Sequence, residues 1–308
     1  MSEPHTPHAS HEDHRLRRRE AARLRRRHRM IQAIAILPSL ATVLNGLSGF
    51  GAIYFATYEK VGTGGEWALR SLTIACGLVF LSMFFDMLDG GLARMTKKTS
   101  EFGAELDSLS DVISFGVAPA VIAMRAIFMI APDAQMLPSL EPIVWCVCAI
   151  FVACAALRLA RFNVETSPEL SAHMSFRGLP SPGAAATVVS LVLLYTHMQR
   201  QNYLPQDWMQ LTAAIFLATM TGLCALLMVS RFRYPHAVNR FIRGRRPLNY
   251  LVKLIVVVML AIVGQLYVLA AATVIFALWG PTVWLYRLAR PVAAPGTPAG
   301  SAPPRQVQ

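Results

Sequence analysis

FDMLDGGLARMTKKTSEFGAELDSLSDVISF, residues 85–115, sets four aspartates into a chain that is otherwise largely apolar. Asp86 and Asp89 are three residues apart, and Asp107 and Asp111 are four apart. On α-helices each pair projects from a single face. Gly90, Gly91, Ala93 and Gly103 lie between the pairs, small residues that let a ligand or a second backbone come close. The spacing therefore predicts two adjacent helices that each offer two carboxylates to one point. Four negative charges gathered at a membrane edge repel one another unless cations sit among them. An all-oxygen donor set of this kind suits hard divalent ions, Mg²⁺ or Mn²⁺. One Asp pair at helical spacing is ordinarily a solvated face. Four of them beside apolar helices, with small residues at fixed offsets, are not.

Outward from this stretch the chain reads as membrane-embedded. Its 308 residues are 55% hydrophobic and only 15% charged, with a positive mean hydropathy. That composition fits an all-α, polytopic helical bundle in a membrane and not a large soluble domain. Crossing a bilayer takes about 20 apolar residues. Runs of that kind lie near 33–57, 68–88, 106–130, 142–162, 182–199, 209–230, 249–266 and 268–288, giving about eight transmembrane helices. The last two are separated only by a tight link around Gln265.

The flanks and loops set the orientation. Residues 1–30 form a basic segment with nine Arg and five of the eight His and almost nothing apolar. It lacks the hydrophobic stretch of a secretory signal and reads as a cytoplasmic tail, with a short basic helix over 15–30 as the alternative. Residues 31–235 form the transmembrane core, and 236–290 a basic loop with a C-terminal helix pair. Residues 291–308, rich in Pro, Ala and Gly, read as a disordered tail. The +12 net charge does not indicate nucleic acid, because it collects beside apolar spans, with seven Lys and Arg between Arg231 and Lys253. Segments 1–30, 89–105, 158–181 and 231–253 hold most of the Lys and Arg, which puts them in the cytoplasm together with both termini. The aspartates then sit at the cytoplasmic end of the second and third spans. The cysteines, Cys76, Cys146, Cys148, Cys154 and Cys224, all fall in apolar runs and read as small buried hydrophobes with no zinc-site spacing.

Written out, the aspartate stretch is Asp86-x-x-Asp89-Gly90-x-x-Ala93-Arg94, eight residues, Gly103-x-x-x-Asp107-x-x-x-Asp111. This resembles the signature of the CDP-alcohol phosphatidyltransferases, membrane enzymes that make phospholipids from CDP-linked donors. The resemblance implies a six-helix catalytic core in the inner membrane, usually paired as a homodimer. It implies two divalent ions, Mg²⁺ or Mn²⁺, held by Asp86, Asp89, Asp107 and Asp111. It places the CDP group on Asp86, Asp89, Gly90, Ala93, Arg94, Gly103 and Asp107, and makes Asp111 the general base.

Further stretches are similar to the membrane-integral phosphatidylserine synthases within that family. These are Pro38-x6-Asn45, Ser114-Phe115-Gly116-Val117-Ala118-Pro119, Arg158-Leu159-Ala160-Arg161-Phe162-Asn163 and Phe176-Arg177-Gly178-Leu179-Pro180-Ser181-Pro182. Where many of those proteins carry a basic residue after the first motif glycine, this chain has Gly91. The implied substrates are CDP-diacylglycerol and L-serine, with membrane lipids around them. An amino-acid acceptor brings a carboxylate, which an Arg fork binds through two parallel hydrogen bonds. Arg158, Arg161 and Arg177 are the candidates for that contact, and Asn163 suits an ammonium or hydroxyl. The same arginines also suit membrane anchoring or phosphate binding. Other acceptors, such as glycerol 3-phosphate, inositol or choline, stay open, as does a transporter with carboxylates along its pathway.

Overall fold

The computed structural model of this chain describes residues 39–58, 64–96, 101–130, 140–165, 178–203, 207–232 and 265–289. These residues are helical almost throughout and contain no strand. The helices are α1 (Ser39–Thr57), α2 (Gly64–Thr96), α3 (Glu101–Asp111), α4 (Ala118–Ile130), α5 (Leu140–Glu165), α6 (Ser181–Arg200), α7 (Asp207–Val229) and α8 (Gln265–Ala289). A π-helical stretch, Val112–Val117, joins α3 to α4 without a break. The described residues thus supply seven spans long and apolar enough to cross a membrane. They coincide with seven of the eight expected runs. The other run, 249–266, falls almost wholly outside the described residues, as do 1–38, 166–177 and 290–308.

From α1 to α7 successive spans alternate in direction, whereas α8 runs the same way as α7. Tyr58, after α1, meets Trp67 near the start of α2 with ring centroids 6.3 Å apart. His197, late in α6, meets Tyr267 at the start of α8. At the other end Trp284 of α8 meets Phe232 just past α7. So α7 finishes at the aspartate end of the bundle, whereas α8 begins at the opposite end and returns. The first and last described helices both have their outer termini at the aspartate end. Aromatic rings gather at both ends, the arrangement that interfacial Tyr and Trp adopt at a bilayer's two surfaces.

Small residues let these helices approach closely, as they do in membrane bundles generally. Ala52, Ala75, Ala118, Ala123, Ala126, Ala184 and Ala185 are buried at the crossings, with Phe115 and Phe151 filling the space among them. α6 is the central helix: 67% of its span is buried inside the bundle, against 17% for α8. α6 packs on α2, α7 and α8, and α5 packs on α7. α6 also meets α8 through polar contacts, with Ser190 Oγ and Thr273 Oγ1 2.7 Å apart. The turn before α6 needs a glycine. Gly178 sits at φ +90°, and its N–H donates to Phe232 O at 2.8 Å. A Cβ there would run into the Met228 carbonyl, and the next N–H, of Leu179, bonds Leu227 O at 3.0 Å.

Three expectations are corrected. The second and third spans, expected over 68–88 and 106–130, extend further into the segment between them, which is helical to Thr96 and again from Glu101. Hydropathy marks where the apolar run ends, but good helix formers such as Leu92, Ala93, Arg94 and Met95 carry the backbone ladder further. The third span is not uniform α-helix but passes through the π stretch, with the Ala118 N–H bonding back to Ile113 O. Cys146 is exposed on the outer face of α5 and is not a buried hydrophobe, unlike Cys76, Cys148 and Cys224.

Candidate metal and active site

α2 is 33 residues long, roughly 50 Å at 1.5 Å per residue. Asp86 lies about 33 Å along it, just past the ~30 Å of a hydrocarbon core. Length alone therefore puts the motif at a membrane surface. α3 runs back from the same surface, and its Asp107 meets the α2 pair. One carboxylate oxygen each from Asp86, Asp89 and Asp107 lie within 4.8 Å of one another. Asp89 is buried, and its Oδ2 accepts a hydrogen bond from Thr42 Oγ1 of α1 at 2.9 Å. Oδ1 of Asp107 is buried with no hydrogen-bond partner. A buried carboxylate oxygen left unpartnered costs free energy unless something positive meets it. Three hard oxygens at this separation, with an orphaned oxygen on one of the same carboxylates, fit a divalent cation.

Asp111 stands one turn further along and is not part of that close trio. It is half-buried, and its Oδ1 accepts from Asn45 Nδ2 at 3.0 Å. Asn45 is itself fully buried, and its backbone carbonyl accepts from Ser114 Oγ at 2.9 Å. The described residues leave space beside the α2 carboxylates: none outside the local helix backbone has an atom within 4 Å of where a Cβ on Gly90 or Gly91 would sit. Gly103 lies on α3, half-buried. Ala93 and Arg94 continue the backbone of α2 beyond the aspartates.

The acceptor candidates separate. Arg158 of α5 is half-buried, and its Nη1 donates to Ser181 Oγ at the start of α6 at 2.8 Å. Its Nε is buried without a hydrogen-bond partner among the described residues. Arg161 is exposed. Asn163 is exposed too, and its Nδ2 donates to Ser108 Oγ of α3 at 2.8 Å, tying the end of α5 to the aspartate helix. Arg177 lies outside the described residues. Thr42 and Ser108 were not marked by the sequence, where each is one small polar residue among many. Asn45 had a signal in its offset from Pro38, and Ser181 in the stretch from Phe176 to Pro182.

Two carboxylate helices at a membrane surface, with a half-buried arginine held at the neighbouring end of α5, suit a reaction on an anionic, lipid-linked substrate. Comparison with known proteins points the same way. A family model for CDP-alcohol phosphatidyltransferase matches residues 35–229. The chain is 33% identical over 261 residues to the CDP-diacylglycerol–serine O-phosphatidyltransferase of Helicobacter pylori, covering 84% of this chain and 95% of that one. It is 31% identical over 250 residues to the protein of the same name from Methanocaldococcus jannaschii, covering 81% and 94%. To the archaetidylserine synthase of Methanothermobacter thermautotrophicus it is 35% identical over 207 residues, covering 67% and 72%. A match of that extent, laid over the helices that bring the carboxylates together, makes this chain a member of the CDP-alcohol phosphatidyltransferase family.

Proposed function

We propose that the chain is a phosphatidylserine synthase, transferring the phosphatidyl group of CDP-diacylglycerol to the hydroxyl of L-serine. The serine oxygen bonds to the phosphatidyl phosphorus, the bond from that phosphorus to CMP breaks, and the hydroxyl proton passes to Asp111. The observation that carries this reading is Arg158 of α5: Ser181 Oγ holds its Nη1, while its buried Nε has no hydrogen-bond partner among the described residues and is a donor that a serine carboxylate could take. The names of the relatives support the same acceptor. Asp86, Asp89 and Asp107, with Asp111, would hold two divalent ions, Mg²⁺ or Mn²⁺. Such ions, when bound, neutralise charge on the pyrophosphate and the departing CMP. Gly90, Ala93 and Gly103 leave room for the cytidine, and Arg94 pairs with the donor phosphates. General-base assistance from Asp111 is worth about 10²–10⁴-fold in rate. Purified protein given CDP-diacylglycerol and a panel of alcohols should release CMP with L-serine. Release with glycerol 3-phosphate, inositol or choline in its place would reassign the acceptor.

Arg158 offers a specific check. A planar fork grips a carboxylate at two points and an ammonium at one, a loss of about 1.5–3 kcal/mol in a charged hydrogen bond. Arg158→Lys should raise the KM for serine by roughly 10–100-fold and move the KM for the lipid donor little. Arg161→Lys, at an exposed position, should do much less. A donor defect with an intact serine KM would place Arg158 on the pyrophosphate instead.

We assign the aspartate end of the bundle to the cytoplasm of an inner membrane, on the distribution of Lys and Arg, and assembly as a homodimer on the family. Both outer termini of the described bundle lie at that end. A reporter fused after Arg305 should therefore read cytoplasmic, and a periplasmic reading would overturn the assignment.

A further inference from the structure

Two uncharged side chains of α1 reach the carboxylate site, one to each motif helix. Thr42 and Asn45 are three residues apart and so share a face. Thr42 Oγ1 donates to Asp89 Oδ2 of α2 at 2.9 Å, and Asn45 Nδ2 donates to Asp111 Oδ1 of α3 at 3.0 Å. Thr42 is 4% exposed and Asn45 is fully buried, so water does not compete for either bond.

The same face of α1 is fixed against sliding. Gly46 lies over Ser110, where a Cβ would come within 3.1 Å of Ser110 Oγ. Gly49 lies over Ser114, where a Cβ would come within 2.8 Å of Ser114 Cα. Ser114 Oγ also donates to the carbonyl of Asn45 at 2.9 Å. One turn of α1 is therefore pinned to the α3–π segment by backbone approach and by hydrogen bonds together.

We propose that Thr42 and Asn45 are positioning residues that hold Asp89 and Asp111 each in one orientation, so that the carboxylates are aligned before a cation or substrate arrives. The inference rests on the reading of the aspartates as cation ligands. The geometry gives it direction: α1 contributes no charge, so it changes how the carboxylates point without adding to their number. Partners of this kind behind a ligand typically account for about 10–100-fold in metal affinity or activity.

The test uses full-length protein in detergent, with free Mn²⁺ measured by electron paramagnetic resonance. Thr42→Val keeps the side-chain shape and removes the hydroxyl. It should weaken Mn²⁺ binding by about 10–100-fold. In an Asp89→Asn background the same change should cost less than about threefold, because a residue that acts through Asp89 has nothing further to lose. An equal loss in both backgrounds would show a general structural role and overturn the proposal, as would no loss in either. If the unaltered protein binds no Mn²⁺, the cation reading fails first and takes the role of Thr42 with it. For Asn45→Leu, kcat should fall by about 10–100-fold while the KM for CDP-diacylglycerol stays within about threefold. Asn45→Ser, one bond too short to reach Asp111, should behave the same if the leucine variant does not fold. A raised donor KM with kcat intact would place Asn45 in the donor site and refute its positioning role.

Discussion

Asp107→Asn is expected to lower turnover by more than about 100-fold while the protein still folds and inserts. Losing a group that merely orients a ligand costs about 10–100-fold, so losing a ligand itself should exceed that range. Of the carboxylates, Asp107 is the clearest choice. It belongs to the close trio with Asp86 and Asp89, and its buried Oδ1 has no other partner. Asparagine keeps the shape but brings an N–H₂ and removes the charge, so the site loses a hard donor without losing volume. Excess chelator should abolish activity in the unaltered protein, and added Mg²⁺ or Mn²⁺ should restore it. Near-normal turnover by Asp107→Asn, or full activity in chelator, would remove the metal role from this cluster.

Much of this site is legible in the sequence because it is built from local spacing. Three-apart and four-apart aspartates determine a face on any helix, and apolar runs of bilayer length mark the helices that carry them. What the sequence does not carry is which helix stands behind the site. Thr42 is an ordinary polar residue within an apolar span, Asn45 is marked only by its offset from Pro38, and it is the packing of α1 on α2 and α3 that gives them these partners. The π stretch is hidden for a related reason. Val112–Val117 is apolar and would suit an α-helix as well; it is the packing that takes up the extra residue per turn, with Gly116 against Ala155 and Ser114 bonded to Asn45.

The arginines show the limit most clearly. Arg158 and Arg161 are three apart at one helix end, and sequence alone points to Arg161 ahead of Arg158 for the acceptor. The start of α6 distinguishes them, because Ser181 meets Arg158 and leaves Arg161 on the exposed side. That start is set by the Gly178 turn clipped to the end of α7, a contact between residues about fifty apart in the chain.

The second large effect concerns space. Gly90→Leu should abolish binding of a CDP-linked analogue while leaving the unliganded protein as stable as before or more so. These opposite signs follow from two facts. Glycine inside a helix costs roughly 0.5–1 kcal/mol relative to better helix formers, so the leucine gains that amount in α2. Among the described residues, no atom beyond its own helix backbone and chain neighbours lies within 4 Å of the position its Cβ would take, so none of them resists it. The side chain would instead fill the open space beside Asp86 and Asp89, where the nucleotide is proposed to lie. Thermal unfolding without ligand and analogue affinity therefore separate the two contributions. A drop in both would mean that Gly90 is needed for packing that the apo protein already has. Unchanged affinity together with raised stability would mean that the cytidine lies elsewhere, and the equally open Gly91 on the next position of α2 would become the place to test.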